Sequence, residues 1–202
     1  MRTFVLVLCI VLSSVLAPVR ATADVTENSH AGSDRSEPDA QAKEVEARRL
    51  IESFGAASVS LTEAISAAER LHDGSRTVQI SFDNSSVRGY RVRTLKDDRL
   101  WENIIDASTG KRAGDEKSVP LDQLSDEDRE NIAALKFVRL QLADAIAVAE
   151  KATSGKALGG GLMKDGGKLN FIVIVASENR LKQVMLEPPS IARSGKESRR
   201  SP

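Results

Sequence analysis

The chain has 202 residues with 29 basic and 29 acidic side chains, one cysteine, and aromatic residues at only 3%. A balanced charge excludes the basic footprint of a nucleic-acid binder, and so few rings leave little for a platform that stacks sugars or bases. The lone Cys9 lies in an apolar run near the start, so disulfides, thiol catalysis and cysteine-ligated metal are closed to the rest of the chain.

Residues 1–23 open with Arg2, run apolar from Phe4 to Ala17, and reach Pro18 and the small-residue site Ala21-Thr22-Ala23. That is the layout of a cleavable secretory signal, with cleavage expected after Ala23. The apolar run is about 14 residues, below the roughly 20 that span a bilayer. An uncleaved anchor is therefore the weaker reading, and no stable membrane insertion is expected after cleavage. Leu6-Val7-Leu8 lacks the small residues that a lipoprotein signal places before its cysteine. Removing Arg2 and Arg20 with the signal leaves 27 basic against 29 acidic residues. Residues 24–38 are polar and acidic with almost nothing to bury, and read as a disordered leader.

Pro38 suits a first helical turn, and Ala47, Leu50, Ile51 and Phe54 follow at helical spacing before Gly55. A second helix begins at Ser60 in the form S-x-x-E, where the Ser60 hydroxyl and the Glu63 carboxylate can each satisfy the other residue's backbone N–H. Leu61, Ala64, Ile65, Ala68 and Leu71 form its apolar face, and Asp73-Gly74 closes it. The period then changes from 3.6 to 2. Val78, Ile80 and Phe82 alternate, "DNSSVRG" turns, Tyr90 and Val92 alternate with Arg91 and Arg93, and "LWENIID" makes a third strand ending at Asp106. Three strands joined by short turns predict an antiparallel meander covered by one helix. Residues 113–124 read as an acidic linker. Ser125 with Asp128 caps a further helix carrying Ile132, Leu135 and Val138.

"SLTEAISAAERLHDG" returns 81 residues later as "QLADAIAVAEKATSG". At that constant offset 12 of the 62 pairs from Glu46 to Ala107 are identical, among them Leu61/Leu142, Ala64/Ala145, Ile65/Ile146, Ala68/Ala149 and Glu69/Glu150. Chance gives roughly one in seventeen. The matches fall on the expected buried face and turns, so the reading is a gapless duplication of two small α+β units. The copies differ. Gly159, Gly160 and Gly161 replace Val78, Gln79 and Ile80 and weaken the first strand. "LNFIVIVA" is a near-continuous apolar run that predicts burial on both faces, with this strand at the junction between the repeats. The end "ARSGKESRRSP" is basic and reads as a solvated, disordered tail, the alternative being contact with an anionic surface.

Reactive constellations are sparse. His30 and His72 have no paired spacing for a metal, and no cofactor is expected. Gly159-Gly160-Gly161 and "STGKR" lack the phosphate-loop spacing. Asp97-Asp98 and Asp126-Glu127-Asp128 lack the ligand spacing of a calcium loop and suit a turn and a helix start. No serine has the turn or the histidine that a triad needs. Trp101 reads as core.

"SLTEAISAAERLHDG" followed by "GYRVRTLKDDRLWENIIDASTGKR" resembles the PepSY domain, in which an alanine-rich helix opening on L-x-E-A-I-x-x-A precedes a tyrosine-bearing strand and a strand ending in D-A-x-T-G-K. Leu61, Glu63, Ala64, Ile65, Ala68, Tyr90, Asp106, Ala107, Thr109, Gly110 and Lys111 match that pattern. The resemblance covers about Ser60 to Arg112 and Ser125 to Leu186. In the second copy "EPPSIAR" replaces the D-A-x-T-G-K ending.

The resemblance implies a non-catalytic module of bacterial envelopes and peptidase pro-regions, with no catalytic residues. Its partner is expected to be a protein, a secreted or envelope peptidase, and the sequence does not fix an oligomeric state. The expected fold is α+β: two tandem small units, each a helix on a three-stranded antiparallel sheet, with a short preceding helix. The first unit would occupy 39–112 and a degenerate second unit 125–190, with the tail at 191–202. The chain would be exported, periplasmic or secreted.

Overall fold

The computed structural model describes residues 37–189 except 85, 86 and 179. The expected signal, nearly all of the expected leader, and the basic tail lie outside the described residues. In chain order the elements are α1 (Glu37–Gly55), α2 (Leu61–Glu69), β1 (Arg76–Asp83), β2 (Gly89–Lys96), β3 (Arg99–Asp106) and β4 (Arg112–Pro120). A 3-10 turn (Leu121–Gln123) leads to α3 (Asp126–Leu135), α4 (Leu142–Thr153), β5 (Lys156–Asp165), β6 (Lys168–Ser177) and β7 (Arg180–Leu186).

Both expected helix caps form. The Ser60 N–H donates to Glu63 Oε2 at 2.8 Å and the Glu63 N–H to Ser60 Oγ at 3.3 Å, while the Asp128 N–H donates to Ser125 Oγ at 3.1 Å. α2 is shorter than its sequence pattern. It stops at Glu69 with Arg70 as its cap, so Leu71, expected on the buried face, is 40% exposed. Ala64 and Ala68 are fully buried, and their small side chains let the helix lie close on the sheet.

The strands form one antiparallel sheet in the order β4-β3-β2-β1-β5-β6-β7. The expected pair of separate three-stranded sheets is therefore corrected to a single seven-stranded sheet over one continuous core. That core takes Tyr90 and Val92 from β2 together with Phe171 and Val173 from β6, under α2 and α4. The expected linker at 113–124 is corrected too, since most of it is the edge strand β4. Its Arg112, Asp115, Glu116 and Lys117 do not look like strand residues. An edge strand beside solvent needs few apolar side chains, and charge protects it from unwanted pairing.

The seam between the halves is β1 against β5, with Gln79 opposite Gly161, Ile80 opposite Gly160 and Ser81 opposite Gly159. The apolar β6, expected there, lies one strand further out between β5 and β7. It is fully buried on one face only. Phe171, Val173 and Val175 have no exposure, whereas Ile172 and Ile174 are half-buried. Room decides which strand makes the seam. A Cβ on Gly159 would stand 2.9 Å from the Ile80 carbonyl oxygen, and one on Gly160 would stand 3.1 Å from that of Ile172 and 3.3 Å from Leu142 Cδ1. The glycines admit β1 and α4 at close range, so they join the halves where side chains would hold them apart.

The register also corrects the gapless alignment. Ile80 faces Val92 and Phe82 faces Tyr90; Gly160 faces Val173 and Leu162 faces Phe171. The first strands are thus 80 residues apart while the second strands remain 81 apart. The three glycines stand where the first half has Gln79, Ile80 and Ser81. Each first strand has an irregularity at the same place, Thr77/Gln79 and Ala157/Gly159. Each is held from the helix above by one carboxylate: Glu69 Oε1 accepts from the Thr77 N–H and Glu150 Oε1 from the Ala157 N–H, both at 2.9 Å. A bulge leaves one residue out of the ladder, and an acceptor beside it restores the pairing of a strand N–H.

Candidate functional site

The residues singled out from sequence gather where β3 turns into β4 beneath the start of α2. Leu61, Ala64, Ile65 and Ala68 are buried against β1–β3, and Glu63 caps the helix. Tyr90 has no exposure, and its hydroxyl donates to the Val59 carbonyl just before the cap. Burial, and then the charge of Glu63, push the Tyr90 phenol up to about 12.

Asp106 ends β3 by accepting from the Ser108 N–H at 3.0 Å, the Thr109 N–H at 2.8 Å and the Thr109 hydroxyl at 2.9 Å. These bonds, led by the Thr109 N–H, hold its carboxyl below the ordinary value. An aspartate that folds back on the next N–H groups is a standard turn former. Gly110 takes a φ of +68°, which favours glycine, and donates its N–H to the Asp106 carbonyl at 2.9 Å. The Lys111 carbonyl accepts from the Asp106 N–H at 2.8 Å, and its side chain is exposed. The Ala107 carbonyl accepts from the N–H groups of Ser58 and Val59 at 2.9 and 3.0 Å. Tyr90 and the turn therefore grip the same short segment from two sides. The shared wording of helix, tyrosine and D-A-x-T-G-K is one hydrogen-bonded corner.

The second half solves the same corner differently. Phe171 has no hydroxyl for the Leu140 carbonyl, the counterpart of Val59 at the 81-residue spacing. Arg76 from the first half supplies the donor instead. Its guanidinium donates to the Leu140 carbonyl at 2.6 Å, the Leu135 carbonyl at 2.8 Å and Gln141 Oε1 at 2.8 Å. One side chain of β1 thus clamps the connection between α3 and α4.

Sequence reasoning missed a polar cluster at the other end of α2. The His72 imidazole stacks on the Trp101 indole, centroids 4.0 Å apart and planes at 27°. His72 Nε2 lies 2.8 Å from Glu116 Oε1, which also accepts from Asn103 Nδ2 at 2.7 Å. Burial pushes the Glu116 carboxyl up, but the bonds from Asn103 and His72 and the charges of His72 and Arg112 outweigh it and hold the carboxyl below its ordinary value. Its members are 13 and 44 residues apart, and no local spacing announces them. Only the strand-like alternation of β4, hidden in polar residues, could have signalled Glu116.

On the sheet face away from the helices the halves diverge. Arg91 pairs with Asp83 at 2.5 Å and with Glu102 at 3.4 Å, and Arg93 pairs with Glu102 at 2.9 Å. At the 81-residue spacing Arg91 and Arg93 become Ile172 and Ile174. β7 adds Met185 opposite Ile172, 43% exposed. One half of this face is a neutralised charged ladder and the other an apolar surface, an arrangement suited to contact rather than to chemistry. Among the described residues no helix is long and apolar enough to cross a membrane.

Residues 58–113, from the segment gripped by Tyr90 to the start of β4, match the family model described as "Peptidase propeptide and YPEB domain", PepSY. This stretch is thus similar to PepSY domains, which are generally non-catalytic regulatory modules that contact other proteins. A solved structure of a candidate lipoprotein from Clostridium difficile 630 is similar at 18% identity and a TM-score of 0.39, over 67% of this chain and 91% of that one. No curated protein matches the chain.

Proposed function

We propose that the chain is an exported, non-catalytic binding module that restrains or modulates a secreted or envelope peptidase through protein–protein contact. The observation that carries this reading is the PepSY match over α2, Tyr90 and the Asp106–Lys111 turn. The signal-like start at residues 1–23 supports export to the periplasm or the medium. The test is to incubate the mature chain with secreted peptidases of the same cell. Slowed turnover or a stable complex is expected, and unchanged turnover with no complex in any pairing overturns the reading.

We propose further that residues 125–190 are a second, degenerate PepSY-like unit that followed 39–112 by duplication. Glu69 and Glu150 support this, since each caps the same irregularity from the same helix position. The motif residues Leu61, Glu63, Ala64, Ile65, Ala68, Tyr90, Asp106, Thr109, Gly110 and Lys111 would serve mainly to build the corner, with the exposed Glu63, Thr109 and Lys111 also open to a partner.

A second reading, a structural or sensory envelope protein with a non-peptidase partner, is favoured by the apolar Ile172, Ile174 and Met185 surface, which the charged first half lacks. Cross-linking in the native envelope separates the two. Recovery of a peptidase supports the first, and recovery of other partners alone supports the second.

A further inference from the structure

Thr94 Oγ1, Trp101 Nε1 and Asn103 Oδ1 are shut off from solvent and have no hydrogen-bond partner among the described residues. The sheet register brings these three residues together. Thr94 stands directly opposite Trp101 in the β2–β3 pair, and Asn103 follows Trp101 by two residues on the same face. Buried polar atoms are almost always satisfied, so three such atoms at neighbouring positions of one sheet face call for a partner.

Their chemistry is complementary to a single small molecule. An indole N–H can only donate, an amide oxygen can only accept, and a hydroxyl can do either. Asn103 cannot turn its amide to help, because its Nδ2 is committed to Glu116 at 2.7 Å. A buried water typically makes about three hydrogen bonds to such groups. We propose that Thr94, Trp101 and Asn103 bind one internal water molecule and that His72 is its lid. The imidazole covers the indole, and Glu116 fastens it at 2.8 Å while also holding Asn103. Solvent reaches the water when His72 swings away.

Trp101 is the sole tryptophan, so its indole proton gives one resonance in an amide correlation spectrum. The expected result is a cross-peak between that proton and water whose sign marks a water held longer than molecular tumbling. Thr94→Val, close in shape but without the hydroxyl, loses the cross-peak with an unchanged far-ultraviolet spectrum. Thr94→Ser keeps it, which guards against a variant that merely misfolds. His72→Ala speeds exchange of the indole proton by about tenfold or more, as expected when local opening becomes easier. Absence of the cross-peak in the native protein overturns the proposal. So does a high-resolution crystal structure in which Trp101 Nε1 donates directly to Thr94 or Asn103. Unchanged indole exchange in His72→Ala overturns the lid.

Discussion

Tyr90 shows how one side chain can be both core and anchor. Tyr90→Phe keeps the packing against Phe82, whose ring centroid is 5.7 Å away, but strips the part-buried Val59 carbonyl of its donor. The expected cost is about 1–2 kcal/mol, seen as a lower urea midpoint at unchanged slope. Because the folded phenol is raised to about 12, its contribution is complete below the ordinary phenol value and lost as pH rises through about 12. Stability should fall on the alkaline side, less steeply in Tyr90→Phe. Asp106 has the opposite sign. Its folded carboxyl lies below the ordinary value, so its contribution is present above that value and lost as pH falls through the depressed one. Asp106→Asn keeps an acceptor for the turn but cannot titrate, and its acid-side stability profile should be shallower. The capping roles of Ser60 and Glu63 were legible in the sequence because the two bond to each other three residues apart.

At the scale of elements, β5 carries the clearest lesson. A glycine run reads as a weak strand, and "LNFIVIVA" reads as a central one, since propensity and apolarity are all that the sequence displays. In the fold the glycine strand holds the halves together because side chains at Gly159 and Gly160 would run into Ile80, Ile172 and Leu142. Gly159→Ala should therefore cost about 1–3 kcal/mol through overpacking. Gly161→Ala should be nearly neutral, as its Cβ would meet Gln79 Cγ at an ordinary 3.6 Å. Thermal denaturation of the two variants side by side checks the contrast. The shared bulge gives a matched pair of variants as well. Glu69→Ala and Glu150→Ala each remove a charged acceptor from a strand N–H, and each should destabilise by about 1.5–3 kcal/mol. A large effect in one half only would break the proposed equivalence.

At the scale of the molecule, one sheet and one core predict one unfolding event, although the sequence announces two units. Calorimetric and van't Hoff enthalpies for residues 37–189 should agree, as in a two-state transition. Arg76 is the most concentrated polar link between the halves. Arg76→Ala leaves the Leu140 carbonyl without its donor and the Leu135 carbonyl with only the Val138 N–H, and should cost about 1–3 kcal/mol. The melting temperature should drop while the transition stays single, because the β1–β5 ladder and the packing of α2 against α4 remain. Two resolved transitions in the native protein would mean that the halves fold as separate bodies.

By itself the sequence determined the helices, their caps, the apolar faces, most of the strands and the near-repeat at 81 residues. All of these rest on contacts within a turn or two or on alternation along one segment. The tertiary structure decided that the strands share a single sheet, that glycines make its seam, and that a polar linker is its edge. It also decided that His72 meets Trp101 and Glu116. Those outcomes depend on pairings between distant segments, where clearance and register select among partners that composition leaves equivalent.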